Sequence, residues 1–225
     1  MSSLIPNKNS SITEPMFISW GGKTGAGSWG LDFDFDFDPK SSSLQNINQW
    51  YFTCLKRSLK AFDYLARIWK VSITLFDQSE TAGETINWKY EKGEDYQNYI
   101  GNILDKLQNY PSEIYEINVS LDLCVFVYTQ ESPKKPTQKW VRDLANLIIA
   151  IELEDEEPYL SLEMHHTLFY PFSYNGGEDN AELFGLNQPL LEEALKNWED
   201  KFNSEIEAEG LPGIYKYGYL PEDQW

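Results

Sequence analysis

Cysteine and histidine are scarce in this 225-residue chain, with two of each. So few thiols exclude a disulfide-stapled scaffold and fit a reducing compartment. Cys54 and Cys124 read as buried free thiols, one on a helix and one on a strand. His165 and His166 are chain neighbours, and side chains alternate along a strand, so the two cannot chelate one ion together. No apolar run approaches the ~18 residues of a membrane span. Met1 to Glu14 lacks a basic start followed by an apolar stretch, so no secretory signal is expected. The expected location is the cytoplasm. Basic residues are also few: 18 Lys and Arg stand against 36 Asp and Glu, for a net charge of −18. That balance argues against DNA and against an anionic membrane as direct partners.

Assembled catalytic motifs are missing as well. Gly22-Lys23-Thr24 has the letters that end a phosphate-binding loop, but Phe17 stands where the loop needs a glycine, and no helix follows. Gly25-Ala26-Gly27-Ser28-Trp29-Gly30 matches the dinucleotide pattern in letters, yet a strand comes after it, so it reads as a turn between two strands. No serine sits in a Gly-x-Ser-x-Gly elbow, and no glutamate–histidine pair has metalloprotease spacing. Asp32, Asp34, Asp36 and Asp38 share one face of a strand, about 7 Å apart, as hard-cation ligands would. A calcium loop counted from Asp34 would need glycine and glutamate where Pro39 and Gln45 occur, so the row reads as a solvated face that discourages edge pairing. No cofactor is expected.

What the chain does have is a large apolar and aromatic content, 41% and 15%, which excludes disorder over most of its length. Phe17 to Trp20 and the strictly alternating Leu31 to Asp38 read as strands. From Leu44 to Trp69 the apolar residues Phe52, Leu55, Leu59, Phe62, Ala66 and Trp69 recur at helical spacing, predicting one long amphipathic helix. Alternation at Val71, Ile73 and Leu75 predicts a strand, and Ile86 to Tyr90 another. A second helix is expected over about Asp95 to Asn109, before Pro111. Tyr115 to Val127 alternate along one long strand, bent or bulged midway. Ser132 to Pro136 read as a loop. Leu147 to Leu153 and Leu160 to Leu168 form a hairpin, and Pro171 to Asp179 read as a loop. Asn187 is the expected cap of a third helix with Pro189 in its first turn. The sum is an α+β fold, a mostly antiparallel sheet with about three helices packed on it. Residues 1–15 read as a flexible polar tail and 16–225 as one domain, with residues 130–139 as a point of possible subdivision.

The charge is unevenly spread. Residues 1–151 hold 18 acidic and 15 basic side chains; residues 152–225 hold 18 acidic and only 3 basic. Such a field steers basic partners toward it. The expected function is therefore a non-catalytic acidic protein that binds a basic protein partner, an inhibitor or immunity-type role toward a basic nuclease or toxin being one form. The candidate contact residues are Glu154, Asp155, Glu156, Glu157, Tyr159, Glu163, His165, Tyr170, Tyr174, Glu178 and Asp179, aromatics among acids supplying the anchors of an interface. The first rival is a carboxylate- or metal-dependent hydrolase using the Asp32 row and His165. The second is an oligomer in which the aromatic arm Tyr215 to Tyr219 packs on a neighbouring subunit.

Overall fold

A computed structural model describes residues 7–15, 27–32, 42–75, 84–91, 93–151, 158–171, 180–210, 212–221 and 224. In chain order the elements are β1 (Gly27–Asp32), α1 (Leu44–Ala61), β2 (Ala66–Leu75), β3 (Thr85–Lys89), α2 (Tyr96–Gln108), β4 (Ile114–Thr129), β5 (Ser132–Ile151) and β6 (Pro158–Met164). A 3-10 turn (Thr167–Phe169), α3 (Ala181–Phe202), β7 (Glu205–Gly210), β8 (Ile214–Tyr215) and β9 (Gly218–Tyr219) complete the series. The first seven strands form one antiparallel sheet in the order β3-β2-β4-β5-β6-β1-β7, and β8 and β9 form a small hairpin. This is the α+β architecture expected from paired strands.

Alternation sorts the side chains onto two faces. On one face Ile73, Ile117, Ile149 and Leu160 lie in register, as do Val71, Val119, Leu147, Leu162 and Trp29, and all of them are buried. Helices cover this face. The α1 residues Tyr51, Cys54 and Leu55 and the α3 residues Leu191, Leu195 and Trp198 are buried with the sheet residues in one core. Several donors inside the helical layer are paired: the Trp198 indole N–H donates to Ser58 Oγ at 2.9 Å, and Asn48 Nδ2 donates to the Tyr110 carbonyl at 3.1 Å. Cys54 and Cys124 are free and buried, and burial pushes both thiols up to about 12.

Three elements differ from their sequence-based expectation. The first helix stops at Ala61, not Trp69, because Ala66 to Leu75 pair with β4; long-range pairing overrides the helical spacing of Ala66 and Trp69. Ser132 to Pro136 are the start of β5, because the turn that joins it to β4 is completed at residues 130–131. Both sides of residues 130–139 therefore belong to one sheet. The third helix begins at Ala181, and Pro189 lies inside it. Phe17 to Trp20 and Asp34 to Asp38 lie outside the described residues.

Asn187 is no cap because its side chain has another use. β2 begins opposite Leu123, so beyond that point β4 has an unpaired edge. There the Phe126 N–H donates to Asn187 Oδ1 at 2.7 Å, and Asn187 Nδ2 donates to the Phe126 carbonyl at 3.0 Å. The amide imitates a neighbouring strand. Gln188 does the same for the β8–β9 hairpin: Nε2 donates to the Tyr217 carbonyl at 2.9 Å, and Oε1 accepts from the Tyr219 N–H at 3.1 Å. Gly218 makes this approach possible, since it has φ +122° and a Cβ there would lie 2.3 Å from Gln188 Nε2.

Asn187→Ala leaves a buried donor and acceptor of Phe126 without partners, at a cost of about 1–3 kcal/mol. Urea unfolding is expected to show a lower midpoint with an unchanged slope, and Asn187→Leu is expected to behave the same way.

Candidate functional site

Among the described residues the second face of the sheet carries no helix contact comparable to the first. Asp122, Cys124 and Trp140 are buried on it beside residues 7–13, Ser161 is buried farther along, and its remaining rows are mostly polar. One row across it reads Asn87, Ser72, Asn118, Ile148, Ser161, Gly30 and Glu207, and the next reads Lys89, Lys70, Ser120, Asn146, Glu163, Ser28 and Glu209. The charges are sorted by end. Strands β2 and β3 hold Arg67, Lys70 and Lys89 and no acid, whereas β6, β1 and β7 hold Asp32, Glu163, Glu205, Glu207 and Glu209 and no base.

At the acidic end, Glu163 and the β7 glutamates stand two strands apart, about 10 Å. Between Glu163 and the pair Glu207 and Glu209, the intervening strand places Ser28 and Gly30 on this side. Among the described residues, a Cβ on Gly30 would meet nothing nearer than the Leu160 carbonyl at 3.9 Å. Glu163 is half-buried, and Glu205, Glu207 and Glu209 are exposed. Apolar surface lies beside the acids: Tyr159 is 37% exposed next to Ala150, and Ile148 is half-buried beside Ser161. Glu116, on β4, shares this face. Burial first, and then the Glu163 carboxylate, holds Glu116 above the usual carboxylate range.

Of the residues expected at the surface, Tyr159 and Glu163 are brought together here. His165 lies just past the end of β6, half-buried, its N–H donating to the Leu144 carbonyl at 2.9 Å. Tyr170 is withdrawn from any docking surface: it is buried, its hydroxyl donates to the Pro212 carbonyl at 3.1 Å, and its ring packs on Tyr219. Glu154, Asp155, Glu156, Glu157, Tyr174, Glu178 and Asp179 lie outside the described residues, as do Asp34 and Asp36. Sequence reasoning counted the β7 acids only as charge. Their signal is the alternation Glu205-Ile206-Glu207-Ala208-Glu209, which puts every carboxylate opposite the core.

The rival chemistries fare differently. Gly27 is the β1 residue opposite Met164, so the Asp32 position, five residues along, stands about 17 Å from the level of Met164, and His165 lies one residue farther still. The two do not form a catalytic pair. No group of three or more potential metal ligands occurs among the described residues. His166 is a core residue whose Nδ1 accepts from the Leu168 N–H at 3.2 Å; burial lowers its pKa to about 3. The arm Tyr215 to Tyr219 packs within the chain, with Tyr219 buried against Trp29 and the Tyr217 hydroxyl donating to Glu199. No described helix is long and apolar enough to cross a membrane. Comparison with known protein families, curated protein sequences and solved structures finds no match to this chain.

Two titrations follow. In Glu163→Gln, removal of the neighbouring charge moves the Glu116 midpoint down toward the ordinary carboxylate value, as followed by carboxyl carbon NMR. Because a raised carboxyl pKa favours the fold only at low pH, the same variant is more stable than the parent near neutrality. His166 behaves in the opposite direction. Its folded pKa is depressed, so stability falls as pH drops from about 6.5 toward about 3 while the unfolded chain takes up a proton. His166→Leu is expected to lose that part of the slope in pH-dependent urea unfolding.

Proposed function

We propose that this chain is a non-catalytic protein that docks a basic protein partner on the acidic end of the sheet face that the described helices leave uncovered. The observation that carries the reading is the trough walled by Glu163 on one side and Glu207 and Glu209 on the other, with no basic residue on the three strands that build it. Its ~10 Å width suits a lysine or arginine side chain, whose ammonium or guanidinium would reach both walls. Tyr159 and Ile148 supply apolar contact beside the charges, the combination that anchors protein interfaces. A partner that inhibits or neutralises a cationic enzyme is one role such a surface fits. Cytoplasmic residence is part of the same proposal and rests on the sparse cysteines.

The test uses a panel of small basic proteins titrated against the full chain. Binding is expected to weaken steeply between about 30 mM and about 300 mM salt, as exposed charge pairs are screened. The triple variant Glu163→Gln, Glu207→Gln, Glu209→Gln is expected to bind at least about tenfold more weakly with an unchanged circular dichroism spectrum. Binding that ignores salt, or that survives the triple change, overturns the reading.

A further inference from the structure

At the opposite, basic end of the sheet lies a second feature that the docking surface does not use. Asp122 is fully buried on β4, and two arginines share it: Arg67 Nε contacts Oδ2 at 3.2 Å, and Arg142 Nε contacts Oδ1 at 3.0 Å. Two guanidiniums against one carboxylate leave a surplus positive charge in a chain whose net charge is −18. Arg67 is spent on the fold: buried, it lies 4.9 Å over the Trp140 ring and donates through Nη1 to the carbonyls of Lys8 and Ser10. Arg142 is different. Its side chain is 38% exposed, its guanidinium lies 4.7 Å over the Trp69 ring, and its terminal nitrogens have no partner among the described residues.

The backbone on both sides of Asp122 departs from regular pairing to make this arrangement. On the β2 side, Trp69 is an extra residue between the pairs Ile68–Leu121 and Lys70–Ser120. On the β5 side, Arg142, Asp143 and Leu144 stand opposite Asp122 alone, between Leu123–Val141 and Leu121–Ala145. Asp143 has φ +57°, a conformation that non-glycine residues rarely adopt, and its N–H donates to Asp122 Oδ1 at 3.2 Å. Bulges re-aim side chains, and local strain concentrates where a site is built. Here the two bulges place Arg142 on Asp122 and Trp69 beneath its guanidinium.

A cavity of about 240 Å³ opens over the pair, walled by Asn9 to Ile12 on one side and by Tyr90 and Gly93 on the other, with Arg67 and Arg142 as its charged lining. We infer that this cavity binds a compact oxyanion, the carboxylate or phosphate group of a small molecule, through the free fork of Arg142. The guanidinium geometry suits either anion in a two-point contact. The Asp122 carboxylate holds the guanidinium by charge, without a hydrogen bond from Nε, and the Trp69 ring packs against it, so the position of Arg142 is set before any ligand arrives. The volume is below the range of drug-sized pockets, which restricts the ligand to a small molecule or a single anionic group.

The experiment titrates the full chain with inorganic phosphate and, separately, with acetate, each against sodium chloride at matched ionic strength. The Arg142 side-chain Nε–H signal in the NMR spectrum is expected to move saturably, while the signal of exposed Arg57 follows only ionic strength. Saturation by phosphate alone assigns a phosphoryl ligand, and saturation by both assigns a general oxyanion site. Arg142→Gln is expected to bind at least about tenfold more weakly, read as loss of the anion-specific rise in melting temperature. Arg142→Lys, which keeps the charge without the fork, is expected to fall between. Because the NMR measurement is made on the unaltered chain, it decides the matter even where a variant folds poorly. A response of Arg142 that matches chloride for both anions overturns the inference, as does an unchanged anion effect in Arg142→Gln.

Discussion

A seven-stranded sheet has two faces, and the described helices of this chain cover one. Everything else in the molecule follows from that one-sided cover. Where α1 and α3 press down, the in-register row Val71, Val119, Leu147, Leu162 and Trp29 is apolar and dry. Where no helix lies, the same strands must offer groups that water accepts, and they offer Ser72, Asn118, Ser120, Asn146 and Glu163. Among the described residues, Asn118, Ser120, Asn146 and Glu163 on this face are half-buried and Ser161 is buried, while Glu207 and Glu209 at its edge are exposed.

The strands of the sheet are unequal, so some backbone groups would be left unpaired if the strands alone had to satisfy them. Side-chain amides close part of that gap. Asn187 pairs both polar groups of Phe126 at the end of the β2–β4 ladder, and Gln188, the next residue, pairs Tyr217 and Tyr219 in the terminal hairpin. Two neighbouring positions of one helix thereby tie the sheet edge and the C-terminal hairpin to the same core. Buried backbone groups left unpaired are costly, so these amides matter more than their mean hydrogen-bond strength suggests.

Local pattern made the fold class legible, and tertiary pairing hid the rest. Strict alternation in Tyr115 to Val127 and in the hairpin from Leu147 to Leu168 identified the centre of the sheet, because a strand with one buried face must alternate. His166, two residues past buried Met164, lies in the core as well. Asn187 misled because an asparagine before a proline has the letters of a helix start, while its partner, the Phe126 backbone, is 61 residues away. Ala66 and Trp69 misled because helical spacing persists by chance into a segment that β4 claims. Nothing local marks Arg67, Asp122 and Arg142 as one cluster; three strands and two bulges assemble them. The acidic trough was half legible: its charge was visible in the composition of the last third, but its partner wall, β6, and its glycine floor needed the register.

Acidic residues on an outer strand have an ordinary explanation, since like charges there prevent edge-to-edge pairing with another chain. That accounts for Glu205, Glu207 and Glu209 on β7, the last strand of the order. It does not account for Glu163 or Glu116, which lie on strands flanked on both sides and protect no edge. Glu116 is worse placed than a serine or asparagine would be, because burial and the neighbouring Glu163 both oppose its charge. The adjacent open-face positions Asn118 and Ser120 show that neutral side chains are accommodated on the same strand. Retaining Glu116 and Glu163 in the sheet interior, the second facing the edge acids across Ser28 and Gly30, works against the fold, and a cation beside them would relieve it.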